Sequence, residues 1–363
     1  NQQFEADVVI VGTGAGGGVA AEILTQAGLS VIMIEAGPLK SSSDFNMKER
    51  VAYPNLYQQA AAMKTADKAI GIFQGRAVGG STTINWTTSI RTPKEALAFW
   101  AQHKSVAGLD PETLAPWFEQ MEQRLNIHEW NYEPNRNNGA LKQGCINLGW
   151  DYTVIKRNVA GCWNTGYCGM GCPVNAKQSM LVTTIPSALE KGAQLISRAK
   201  VVKIEHHNGQ VFALKAQALD VNLRPTAVEL LFKAKHYILS AGAIHTPTLM
   251  MRSEVPDPYQ LLGKRTFLHP TVLSGGVFAD AINAHSGAPQ SIYSDEFVWK
   301  NGADGELGYK LEVPPVHPIL IASKTIGYGL SHAELMAQFN QLQVTIALVR
   351  DGYHPDSQGG QVH

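Results

Sequence analysis

The chain has 363 residues, 44% of them apolar and 17% charged, a composition that suits a folded protein and excludes intrinsic disorder. Its formal net charge is zero, which leaves no basic footprint for nucleic acid or an anionic membrane surface. The longest apolar runs, such as VVIV and ILIAS, are far too short to span a bilayer. The length exceeds that of a usual single core, which predicts one large domain with a second layer or two interleaved domains.

The opening NQQFEADVVIVG has no basic region, apolar stretch and cleavage site in series, and it lacks Met. Either a leader has been removed or this is not the true start. The expected compartment is the cytoplasm, with the periplasm left open.

ADVVIVGTGAGGGVAAEILTQAGLSVIMIEAG reads as strand, turn, helix, strand. VVIV is the continuous apolar run of a strand covered on both faces. Gly12, Gly14 and Gly17 form G-x-G-x-x-G, with Ala15 and Gly16 between them and Ala21 where helix and strand approach. The helix is expected to reach about Ala27, with Gly28 as its C-terminal stop. SVIMI is the second strand, ending at Glu35 and Ala36. Glycines let a backbone approach a pyrophosphate, and the helix N-terminus offers it free N–H groups and the positive dipole end. Glu35 can accept hydrogen bonds from a ribose diol, which argues against a 2′-phosphate and hence against NADP. This turn alone does not choose between NAD and FAD.

A second glycine loop follows in GRAVGGSTTIN, Gly75 to Asn85. Next, KEALAFW and DPETLAPWFEQMEQRL are helical patterns, the latter with an Asp cap and a first-turn Pro. RNVAGCWNTGYCGMGCPVNAKQS holds Cys162, Cys168 and Cys172, while Cys145 stands apart. The spacing C-x5-C-x3-C-P is not a zinc pattern. It is compatible with an iron–sulfur cluster at Cys162, Cys168 and Cys172. A disulfide such as Cys168 to Cys172, or unligated thiols, remain open beside the cluster and are preferred to it. Trp163, Tyr167 and Met170 either line a substrate entrance or bury themselves. VTTIPSALEKGAQLISRAKVVKIEHHNGQVFALKAQ contains a helix, a strand and a hairpin with an Asn-Gly turn. YIL is a strand running into Ala241-Gly242, after which Thr246-Pro247 opens a helix. LSGGVFADAI and QLQVTIALVRD alternate as strands of a further sheet.

The run Gly75, Arg76, Val78, Gly79, Gly80, Ser81, Thr82, Ile84, Asn85 resembles the first signature of the glucose–methanol–choline (GMC) oxidoreductases, and Tyr237 to Ser253 resembles the second. In that family the first loop holds the pyrophosphate near the adenosine half of FAD. The second packs against the pyrophosphate and the flavin ring, so two loops serve one long cofactor. The resemblance implies FAD contacts at Gly79, Gly80, Ser81, Asn85, Trp86 and Thr88, and at Ala241 and Gly242. It makes ISRAKVVKI the strand whose backbone meets the adenine, with Val201 at the matching position. Ser89, Pro93 and Glu254 depart from the family pattern. Gly75 to Pro93 contains neither His nor Cys, so the flavin is expected to be non-covalent. Leu268-His269-Pro270 and Val316-His317-Pro318 resemble the long-chain-alcohol and bacterial branch.

The implied fold is α/β with an α+β substrate part: a Rossmann-like FAD-binding domain interleaved with a sheet-and-helix substrate domain. The expected division is 1–95 and 176–262 for the FAD domain, 96–175 for a helical, Cys-containing connection, and 263–363 for an incomplete substrate domain. The implied activity is oxidation of an alcohol CH–OH group by hydride transfer to flavin, with a small-molecule alcohol as substrate and an external electron acceptor. The alternatives are an NAD-dependent dehydrogenase, a flavin-binding fragment without turnover, and a flavin and iron–sulfur subunit. The family's proton-accepting His and its partner belong to a C-terminal segment that DSQGGQVH does not reach, so a fragment, a clipped chain or a shortened gene model is expected. His245, His269, His317, His332 and His354 are candidate bases by residue type alone, and no catalytic residue is assigned.

Overall fold

The computed structural model describes every residue except Asn1, Ser105, Asp304, Tyr353 and Pro355. The chain divides into two compact units, one of Asn1–Asn85, Gly169–Thr266 and Gln358–His363, the other of Trp86–Cys168 and Phe267–Ser357.

The first unit is built on a six-stranded sheet in the order Gln194–Ser197, Val31–Glu35, Gln2–Val11, Pro225–Leu239, Gln210–Leu219, Ala199–His207. The first four strands run parallel, and the last two continue as an antiparallel meander. VVIV is buried on both faces, as a continuous apolar run in a parallel sheet requires. On one face Val9, Val11, Ile32 and Ile34 share a core with Leu214, Phe232 and Leu249, the last from the helix Gly242–Arg252. The helices Ala15–Gln26 and Thr184–Glu190 pack against each other. Gly18 allows it, since a Cβ there would stand 2.8 Å from Thr184 Oγ1.

The hairpin turn is Asn208-Gly209, both left-handed, closed by the pair His207↔Gln210, as a two-residue type I′ turn demands. Two expectations change. ISRAKVVKI is two strands, not one, broken at Arg198, whose φ is 52°. The Arg198 N–H donates to Gly37 O at 3.0 Å and its carbonyl accepts from Leu219 N, so the chain swings from the parallel ladder into the meander. The later helix starts at Gly242 rather than at Thr246. Thr246 Oγ1 accepts the Ala241 N–H at 3.1 Å, and this side-chain bond secures the first turn ahead of Pro247.

The second unit carries a five-stranded antiparallel sheet in the order Thr271–Val277, Leu342–Val349, Tyr309–Glu312, Ile292–Ser294, Thr153–Val154. The two strands expected from alternation pair directly, Val277↔Leu342 through Thr271↔Leu348. The helix Pro111–Arg124 has its Asp110 cap, which accepts from Thr113 N at 2.8 Å. The helix Arg136–Leu148 packs Leu141 and Cys145 against Ile292 and Val313.

Glu312 is buried in this sheet and accepts a hydrogen bond from Gln290 Nε2 at 2.8 Å. Burial pushes its carboxyl from the ordinary 4.5 up to about 7, against the opposing pull of Lys310. The folded value lies above the unfolded one. Its contribution to stability is therefore whole below pH 4.5 and is lost as the pH climbs to about 7. Glu312→Gln keeps the acceptor for Gln290 and removes the charge. Urea melts at pH 5 and pH 8 are expected to show a gain that is larger by about 2–3 kcal/mol at the higher pH.

Candidate cofactor site

The first glycine loop is shaped by contacts that only glycine permits. Gly12 has φ 93°, and a Cβ there would overlap the Ser240 carbonyl. A Cβ on Gly17 would overlap the Gly12 carbonyl oxygen. The helix that follows starts at Ala15 behind Gly14, with no acidic residue in its first turn and no side-chain cap, and Ala15 and Gly16 are exposed. Its leading N–H groups and positive dipole end suit an anion. A second helix start, Ala241-Gly242, follows directly on Ser240, so two helix N-termini leave neighbouring turns.

Glu35 closes the second strand, buried beside Ala36. Oε2 accepts from Thr13 N at 3.1 Å and Thr13 Oγ1 at 2.8 Å, and Oε1 accepts from Gly37 N at 2.8 Å. The Ala36 backbone N–H also hydrogen-bonds this carboxylate. Burial raises the Glu35 carboxyl above its usual range, and the bonds from Gly37 and Thr13 oppose that rise.

The second loop is docked on the first. Gly79 N donates to Thr13 Oγ1 at 3.0 Å, and Thr13 Oγ1 donates to Glu35. A Cβ on Gly80 would stand 2.7 Å from Gly14 Cα. Gly79 (φ 88°) and Gly80 (φ 54°) are both left-handed and lead into a 3-10 turn, Gly80–Thr83. Ser81 Oγ accepts from Gly75 N at 3.0 Å, and its carbonyl receives Ile84 N and Asn85 N. Thr13 was not singled out from the sequence. Its residue type carries no signal of this role, and it matters because folding buries it completely between the two loops.

The remaining candidates are placed as follows. Val201 sits in the strand Ala199–His207 with its side chain in the core and its backbone paired to Ala216. Trp86 and Thr88 belong to the second unit, where Trp86 O accepts from Arg157 Nη2 at 2.9 Å and Thr88 bridges to Arg157. Gln74 Oε1, Arg76 Nε, Asn85 Oδ1, Trp86 Nε1 and Thr88 Oγ1 are buried without a hydrogen-bond partner. Within the first unit, the orphaned atoms of Gln74, Arg76 and Asn85 are polar groups that a polar ligand could satisfy. Glycine cradles that a Cβ would fill, a helix N-terminus for phosphate, and an acid at the tip of the second strand fit the dinucleotide part of FAD.

Among the histidines, His245 lies on the helix Gly242–Arg252, with burial holding its imidazole below the usual value. His317 is buried and stacks on Tyr167 at 4.8 Å, His332 contacts Ala322 O, His354 lies near Asp356, and His269 is exposed. Met170 is buried, as one of the two expectations for this segment had it, whereas Trp163 is 73% exposed. Among the described residues no disulfide joins any of the four cysteines. Among the described residues no three His, Cys, Asp or Glu side chains gather as a metal-ligand set, so the cluster reading finds no donors in place. No described helix is long and apolar enough to cross a membrane.

The sheet order, the G-x-G-x-x-G turn and the loop docked on it define a Rossmann-like α/β protein of the dinucleotide-binding class. Residues 53–271 match the family described as GMC oxidoreductase, and the chain belongs to that family. An uncharacterized GMC-type oxidoreductase of Mycobacterium tuberculosis is 32% identical over 349 residues, covering 95% of this chain and 53% of that protein. A long-chain-alcohol oxidase of Arabidopsis thaliana is 27% identical over 363 residues, covering 96% of this chain and 48% of its own length. The chain thus spans about half the length of the curated relatives it matches. Among solved structures, formate oxidase of Aspergillus oryzae superposes with a TM-score of 0.69 at 13% identity, over 99% of this chain and 75% of that one. A likeness at that identity speaks for the fold.

Proposed function

We propose that this chain is the cofactor-binding part of an FAD-dependent oxidoreductase that oxidises the CH–OH group of an alcohol. The observation that carries the reading is the hydrogen-bonded series Gly79, Thr13, Glu35, which ties both glycine loops and the ribose-binding acid into one cradle. FAD, when bound, supplies the two-electron acceptor that no side chain offers. The chain's own part is to hold it. Gly14, Ala15, Gly16 and Gly17 present N–H groups to the pyrophosphate, while Gly12, whose own N–H is donated to Ile34 O at 2.8 Å, shapes the turn that lets them converge. Glu35 and Ala36 take the adenosine ribose, with Val201 at the adenine and Ala241-Gly242 beside it. Gly79, Gly80, Ser81, Asn85, Trp86 and Thr88 take the flavin half, without a covalent link. An external acceptor reoxidises the cofactor. A second reading rests on the chain's share of its relatives' length: it binds FAD and turns over only with further chain.

Titration with FAD followed by visible absorption tests both. A two-banded flavin spectrum in the protein fraction, bleached anaerobically by a long-chain alcohol, is the expected result for the first reading. A bound but unbleached flavin selects the second, and a colourless protein overturns both. Glu35→Gln places an amide N–H among donors and is expected to weaken FAD binding about 10-fold.

A further inference from the structure

Lys177 lies in GCPVNAKQS, the stretch read above only for its cysteines, and it is buried at 3% exposure. Its Nζ donates to Thr83 O at 2.5 Å and to Asn85 O at 3.0 Å. These are the carbonyls at the exit of the second glycine loop. On the other side, the N–H groups of Ile84 and Asn85 both return to Ser81 O. The same stretch braces the loop again, with Met180 N donating to Thr82 Oγ1 at 3.1 Å. The backbone from Ser81 to Asn85 is therefore held from both sides. What it presents is the Asn85 amide, whose Oδ1 is a buried acceptor without a partner.

We propose that Lys177 is a positioning residue for the flavin, acting through Asn85: its bonds to Thr83 O and Asn85 O fix the backbone that aims the Asn85 amide at the bound cofactor. The inference rests on the FAD reading above. Removing the ammonium leaves two buried carbonyls unpaired, and the loop then relaxes toward other donors. Asn85 loses its aim while the glycine turn itself remains.

The test measures FAD dissociation constants and bound-flavin spectra for wild type, Lys177→Met, Lys177→Arg, Asn85→Ala and the Lys177→Met/Asn85→Ala double variant. Lys177→Met has nearly the same length with no donors and is expected to raise the dissociation constant about 10- to 100-fold and shift the flavin bands. Lys177→Arg keeps the donors and is expected to recover most of the affinity and the wild-type bands. In the Asn85→Ala background Lys177→Met is expected to cost little more, since the two act as a unit. Wild-type affinity and spectrum in Lys177→Met, or full additivity with Asn85→Ala, overturns the proposal. Should Lys177→Met not fold, Lys177→Arg decides it: failure to preserve the bands counts against the proposal. A wild-type chain that binds no FAD removes the reading beneath it instead.

Discussion

Gly17→Ala is expected to cost about 3 kcal/mol of stability and to abolish FAD binding. A Cβ at this position overlaps the carbonyl oxygen of Gly12 and lies 3.3 Å from Ile10 Cγ2. The first obstacle is backbone and cannot rotate away. Either the helix Ala15–Gln26 lifts off the strand, or the turn opens and its N–H groups no longer converge. Gly28→Ala is the control. Gly28 is left-handed at φ 86° with nothing within 4 Å of a Cβ, so only backbone strain of about 1–2 kcal/mol is expected there, with FAD affinity unchanged. Denaturant melts and FAD titrations of the two variants separate the effects. Equal losses in both would show that the close approach at Gly17 has no special weight.

In the second unit, Arg157→Ala is expected to lose about 4 kcal/mol or more. The Arg157 side chain is fully buried. Nη1 donates to Pro289 O at 2.6 Å and Gln290 O at 3.2 Å, Nη2 donates to Trp86 O at 2.9 Å, and the guanidinium lies 5.0 Å from the Trp130 ring centroid. One planar fork thus ties the strand of Arg157 to the carbonyls of two backbone segments, Pro289-Gln290 and Trp86. Truncation leaves three buried carbonyls without donors. Arg157→Lys keeps a cation but has one nitrogen, which cannot reach both sides of the fork, and is expected to recover less than half the loss. Hydrogen exchange checks the location as well as the size. Amides around Pro289, Gln290 and Trp86 are expected to lose protection first, and loss spread evenly over the unit would contradict the stapling role.

The parts of this protein that could be read from its residues are those governed by near neighbours. The glycine turn with its flanking strands and helix, the Asp110 cap and the Asn208-Gly209 hairpin each depend on backbone preferences and side-chain bonds within a few positions. Glu35 was legible for the same reason, since one strand, one turn and one helix set its distance from the first loop. The pairing of Gln2–Val11 with Pro225–Leu239 was not, because those partners lie more than two hundred residues apart and apolar strands carry no address for one another. Nor was the break at Arg198, which exists because the chain must leave a parallel ladder for an antiparallel one. Thr13, Lys177 and Arg157 are unremarkable in sequence. They matter because folding buries them beside backbone groups 66, 94 and 132 residues away, where a polar side chain must find partners and so fastens distant segments together.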